Sequence, residues 1–130
     1  MVHEWALGES IVMYVKSLGY RVVDRLTVKV GALQSIDREI LSFAIKEIAR
    51  EAGVEMREVA IVETPPLLRC RSCGLEWRLR LEELSEDVRE AVHFVPEAIY
   101  AYVRCPRCGG VDFEIVSGRG LEEVVVEGSK

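Results

Sequence analysis

The residues best placed to do chemistry are four cysteines in two matched pairs, Cys70-x2-Cys73 and Cys105-x2-Cys108. Each pair offers two thiolates from one tight turn, and each is followed by a glycine, Gly74 or Gly109, that lets the backbone curl its amides toward sulfur. Four thiolates so arranged suit tetrahedral Zn(II), whose charge lowers thiol pKa and whose filled d-shell imposes no competing geometry. A redox CxxC, an iron centre in the same cage and disulfides are the other chemistries open to cysteines. A redox site needs only one pair, however, and in a reducing compartment two matched pairs point to a metal. A closed four-sulfur site leaves no position for water, so the expected zinc is structural, fixing a lobe with too little core of its own. The 31 residues between the knuckles exceed the common spacing, so an insertion must loop out between them.

The chain has two histidines. His3, in "MVHEW", stands close to the α-amine of Met1. Amine, deprotonated amides and imidazole together form a flat donor set that favours Ni(II) or Cu(II) over zinc. The plainer alternative is an exposed histidine on a short edge strand. His93, in "AVHFVPE", is flanked by Val92, Phe94 and Val95, a setting that suits a packed, hydrogen-bonded imidazole as well as a ligand.

Composition narrows the classes further. Seventeen basic against 22 acidic residues leave a formal charge of −5, which disfavours phosphate backbones as partners. The apolar share of 49% with 30% charged residues is that of a folded protein. No apolar run approaches the ~20 residues of a membrane span, and no signal-peptide pattern opens the chain, so a cytoplasmic location is expected. No Ser/His/Asp arrangement, phosphate-binding glycine loop or open metal site can be assembled, so the expectation is not an enzyme. The rival function is a nucleic-acid-binding zinc ribbon, with Arg69, Arg71, Arg78, Arg80, Arg104 and Arg107 near the knuckles and Trp77, Tyr100 and Tyr102 as stacking surfaces. The same arginines can instead pair with Glu76, Glu82 and Glu83.

These residues need elements to position them. After an opening short strand, Leu7, Ile11, Val15 and Leu18 recur at the helical repeat, and Gly19 stops the helix. "RVVDRLTVKVGAL" alternates as a strand with Leu26, Val28 and Val30 on its buried side. A second helix follows, with Asp37 as N-cap, an Ile36–Leu41 staple, a stripe of Ile40, Leu41, Ala44, Ile45 and Ile48, and Gly53 as a left-handed cap. "VEMREVAIVET" reads as another strand with a bulge near Glu58. Pro65-Pro66 then breaks the pattern and sets a boundary. A charged helix is expected near Ser85 to Val92, and a last strand must pair with one of the sheets. The expected fold is α+β in two lobes, 1–64 with two helices on a small sheet and 65–119 resembling a zinc ribbon. Residues 120–127 pair back onto the first.

The order of "HEWAL", "VKVGALQSIDREILSFA", the "CRSCG" and "CPRCGG" knuckles, "HFVPE" between them and "DFEIVSGRG" near the end resembles the HypA/HybF nickel chaperones of [NiFe]-hydrogenase maturation over essentially the whole chain. The resemblance implies a nickel-binding α/β lobe joined to a zinc lobe, in a carrier that delivers Ni(II) to the hydrogenase large-subunit precursor with a HypB-type nucleotide hydrolase. It implies nickel ligands at Met1, His3 and Glu4, a structural zinc at Cys70, Cys73, Cys105 and Cys108, and His93 as an additional nickel ligand. It also implies a homodimer by domain swapping, which the Pro65-Pro66 and Gly118-Arg119-Gly120 hinges would permit. The chain departs from the family pattern at Val2, which moves the histidine from second to third position.

Overall fold

The chain enters its fold as a helix, not as the short strand expected of its opening residues. A computed structural model describes residues 2–34 and 36–130. In chain order the elements are α1 (Val2–Ser17), β1 (Val22–Gly31), α2 (Arg38–Glu51), β2 (Glu55–Met56), β3 (Val59–Thr64), β4 (Leu67–Cys70), β5 (Glu76–Arg78), α3 (Glu86–Phe94), α4 (Ile99–Tyr102), β6 (Phe113–Ser117) and β7 (Leu121–Ser129). Helix α1 reaches back to Val2 because its buried face continues past Leu7 to Glu4, one turn earlier. A carboxylate in a first turn also faces the positive end of the helix dipole. The stripe ends sooner than its periodicity promises, with Ile11, Val12 and Val15 buried and Leu18 39% exposed beyond the last turn.

The chain divides into two units. The first comprises residues 1–29, 36–62 and 123–130. In its sheet β1 lies between β7 on one side and β2 and β3 on the other. The β1–β2 pair is parallel, as a strand–helix–strand crossover through α2 requires. Leu26 and Val28 of β1 are fully buried, as alternation demanded. The interruption expected near Glu58 is present. The Arg57 N–H donates to Val23 and the neighbouring Glu58 carbonyl accepts from Leu26, so two consecutive residues face β1 and the strand breaks into β2 and β3 there. Asp37 caps α2 by accepting the Ile40 N–H at 3.0 Å. Leu41, Ala44, Ile45 and Ala49 form its buried stripe, with Ile40 and Ile48 only half-buried.

The second unit comprises residues 30–35 and 63–122. Strands β5, β4 and β6 make an antiparallel sheet in that order. Leu68, Val92, Ile99, Val103 and Phe113 form its core together with Leu33, which lies outside the cysteine-bearing segment in sequence. Helix α3 begins at Ser85, whose hydroxyl accepts the Val88 N–H. Among the described residues no helix is long and apolar enough to cross a membrane.

Candidate metal centres

The two knuckles are built by the same bonding. In each, the cysteine N–H donates to the carbonyl five residues on, Cys70 to Leu75 at 2.8 Å and Cys105 to Gly110 at 2.9 Å. The glycine four residues on returns its N–H to the cysteine carbonyl, Gly74 to Cys70 and Gly109 to Cys105, both at 2.9 Å. Those glycines sit at φ +77° and +71°, a left-handed backbone that a Cβ would strain. Arg71 ties the first knuckle to the chain after the second, donating to the Asp112 carboxylate at 2.9 Å and the Phe113 carbonyl at 3.2 Å.

The four sulfurs lie within 4.8 Å of one another, with Cys70–Cys108 and Cys73–Cys105 each at 3.6 Å. A tetrahedron with metal–sulfur bonds of ~2.3 Å has edges of ~3.8 Å, so the quartet matches a Zn(II)-sized ion in both donor type and spacing. Electrostatics already favour thiolate at two positions. The Cys108 N–H lowers the Cys105 thiol to about 6 against the opposing effect of burial, helped by the Arg107 N–H. Cys70 is lowered likewise, first by the Cys73 N–H and then, against burial, by that of Ser72. At Cys108 the Gly110 N–H pulls downward, but the neighbouring sulfur of Cys70, with burial, raises the thiol to about 11. Cys73 is raised in the same way, burial and its sulfur neighbours outweighing the Leu75 N–H. Each close pair thus holds one thiolate and one thiol that donates to it.

The remaining candidates divide between the units. His3 is exposed on the first turn of α1, and Met1 lies outside the described residues. Glu4 is only 4% exposed, and its Oε2 accepts the Asp37 N–H at 3.1 Å, joining the start of α1 to the cap of α2. Burial alone would raise its pKa, but the Asp37 N–H and further hydrogen bonds hold the carboxyl below its ordinary value. Sequence reading found both residues but not this link across 33 positions; the acid in a first turn and the capping aspartate were its only signals. His93, half-buried on α3 in the second unit, meets the Phe94 ring edge-on at 5.2 Å.

Part of what a nucleic-acid ribbon would need is engaged in the second unit itself, although Tyr102 is 59% exposed. Arg69 pairs with Glu76 and Glu114, Arg71 with Asp112 and Glu114, and Arg80 with Glu83. Trp77 and Tyr100 both pack on Phe113, at 5.6 and 4.9 Å between ring centres.

An α+β chain whose four cysteine sulfurs close on one point has, among its described residues, the donor group of a metal-binding protein. A family model described as hydrogenase/urease nickel incorporation, metallochaperone, HypA matches residues 2–127, and the chain belongs to that family. Its function is that of a metallochaperone for nickel in hydrogenase maturation. The hydrogenase maturation factor HypA of Pyrococcus horikoshii is 42% identical over 126 residues, covering 92% of this chain and 91% of the relative. That of Thermococcus sibiricus is 38% identical over 135 residues, covering 98% of each. The solution structure of the Ni metallochaperone HypA from Helicobacter pylori shares the fold, with a TM-score of 0.55 at 16% identity over 97% of this chain and 98% of that one.

Proposed function

We propose that this chain carries Ni(II) at its amino-terminal end and holds Zn(II) in the cysteine quartet. The nickel donors are the Met1 amine, the intervening amides and the His3 imidazole, with Glu4 and His93 as ligands only in forms of higher coordination number. The cargo passes to the [NiFe]-hydrogenase large-subunit precursor with a HypB-type nucleotide hydrolase as partner, and the chain acts as a carrier, not a catalyst. The observation that carries this reading is the exposed His3 in the first turn of α1. The first four N–H groups of a helix have no intrahelical acceptor, so amides there can lose protons to a metal without breaking the helix ladder. A flat chelate also needs these residues to leave helical φ/ψ, so loading should unwind the first turn. The Val2 insertion supplies a second intervening amide and with it a square-planar set of four nitrogens.

Glu4 is bound to the Asp37 N–H, so as a ligand it must share or exchange that bond. Zinc suits the quartet for the reasons of donor type and spacing given above, and once four-coordinate it has no open position for chemistry.

Titrating Ni(II) into the zinc-loaded His3→Ala protein tests the site. Affinity should fall at least about tenfold, and the visible absorption of flat, low-spin Ni(II) should disappear while zinc content stays constant. Unchanged affinity sinks the assignment of His3.

A further inference from the structure

The sulfurs of the quartet are paired as well as gathered. Cys70 lies 3.6 Å from Cys108, and Cys73 lies 3.6 Å from Cys105. Both contacts cross from one knuckle to the other, and they share no sulfur, so both pairs can close together. A disulfide needs its sulfurs at ~2.05 Å, an approach of roughly 1.5 Å that small side-chain rotations supply.

The backbone holds the two knuckles at that range. Cys70 of β4 stands opposite Phe113 of β6, and the Arg71 N–H donates to the Asp112 carbonyl at 2.9 Å. Each knuckle is also fixed internally by its own two backbone bonds and its left-handed glycine. Joining the knuckles leaves those turns unchanged, whereas a disulfide inside one CxxC would have to draw in a turn that is already fully bonded. Access is graded across each pair: Cys108 is exposed and Cys70 buried, Cys73 half-buried and Cys105 buried. An oxidant therefore meets one sulfur of each pair first, and the sulfur that answers it comes from the protein interior.

We propose that the quartet is a covalent modification site as well as a cage, which a hydroperoxide converts to two cross-knuckle disulfides, Cys70–Cys108 and Cys73–Cys105, that free the ion and keep the second unit folded without it. The proposal rests on the Zn(II) assignment only for the ion released. In each pair the accessible thiolate attacks one peroxide oxygen, and the O–O bond breaks to give a sulfenic acid and hydroxide. The buried partner thiolate then attacks the sulfenic sulfur, forming S–S and expelling a second hydroxide. Each sulfur loses one electron, the peroxide gains both, and two protons from solvent turn the hydroxides into water. With all four thiolates consumed, the ion leaves as Zn(II) without a change of oxidation state. The disulfides bridge the same two turns that the ion bridged, so the knuckles do not part. A dithiol reductant reverses the step by exchange, giving two electrons to each disulfide and restoring the cage.

Treating the full, zinc-loaded chain with hydrogen peroxide at neutral pH, then blocking residual thiols with an alkylating reagent, tests this. Arg71 and Arg107 each separate the two cysteines of a knuckle, so trypsin places all four in different peptides and every pairing has its own mass. The expected products are the two cross-knuckle pairs, with zinc released in step with disulfide and recaptured once a dithiol is added. Amide exchange in β4 and β6 of the oxidised chain should remain within about tenfold of the zinc-loaded value, whereas chelation in the presence of a dithiol should raise it far more. Cys70–Cys73 and Cys105–Cys108 as the main products, cysteines carried on to sulfinic acid, or full retention of zinc under excess peroxide overturns the proposal. A chain that takes up no zinc when loaded but yields the cross-knuckle pairs supports the disulfides and sinks the zinc reading on its own.

Discussion

At the scale of single residues, Glu4 separates two roles that a carboxylate near a metal can play. As the acceptor for Asp37 it holds two helices together, and as an anion it can bind nickel. Glu4→Gln keeps an acceptor oxygen and removes the charge. Its thermal stability at neutral pH should stay within about 1 kcal/mol of the parent, whereas Glu4→Ala leaves the Asp37 N–H unsatisfied and should cost about 1–3 kcal/mol. A nickel titration that weakens in the Gln variant would then report ligation alone. Acid sensitivity follows with a definite sign. A carboxyl held below its ordinary pKa in the fold contributes stability above that ordinary value, and loses it as pH falls through the depressed one. Stability of the parent should therefore decline in mildly to strongly acidic solution more steeply than that of Glu4→Gln, measured by urea unfolding across that range.

At the scale of elements, the helices were legible where their ends carry chemistry. Asp37 was readable as a cap and Ser85 as the approximate start of a charged helix, and each accepts the N–H three residues on. Asp37→Ala should cost about 1 kcal/mol in an equilibrium melt, with part of the loss coming from the altered seat for Glu4. The beginning of α1 was misread because His3 and Trp5 are exposed and Glu4 is a buried acid, so apolar periodicity gives no warning that the helix has begun. The strands of the second unit were harder still. β4 and β5 are four and three residues long, too short for alternation to register, and the pairing of β4 with β6 depends on residues more than 40 positions away. Backbone proximity was equally invisible. A Cβ on Gly118, at φ +101°, would lie 2.4 Å from the Pro66 Cα, so Gly118→Ala should destabilise the second unit by at least about 2 kcal/mol, read as accelerated amide exchange in β4 and β6.

At the scale of the whole molecule, the cysteine spacing announced the metal centre, while the origin of the core around it stayed hidden. Leu33 belongs to that core although it stands 37 residues before Cys70, which only a folded chain discloses. Chelating the metal should strip amide protection from the β4–β6 sheet and leave the β1–α2 region protected, since the two units have separate interiors. Reloading Zn(II) near neutral pH should release the protons that Cys73 and Cys108 hold, observable with a pH indicator in weak buffer. Acid should oppose loading, because Cys105 contributes thiolate only above its value of about 6 and is reprotonated as pH falls through it.

The matched knuckles have a consequence in polymer terms. A bound ion acts as a cross-link that closes the chain between Cys73 and Cys105 into a ring. Closure entropy grows only logarithmically with ring size, by ~0.6 kcal/mol per doubling. The interval between the knuckles is therefore nearly free to lengthen or shorten, and it can carry α3, α4 and His93 at almost no thermodynamic penalty to the cross-link itself.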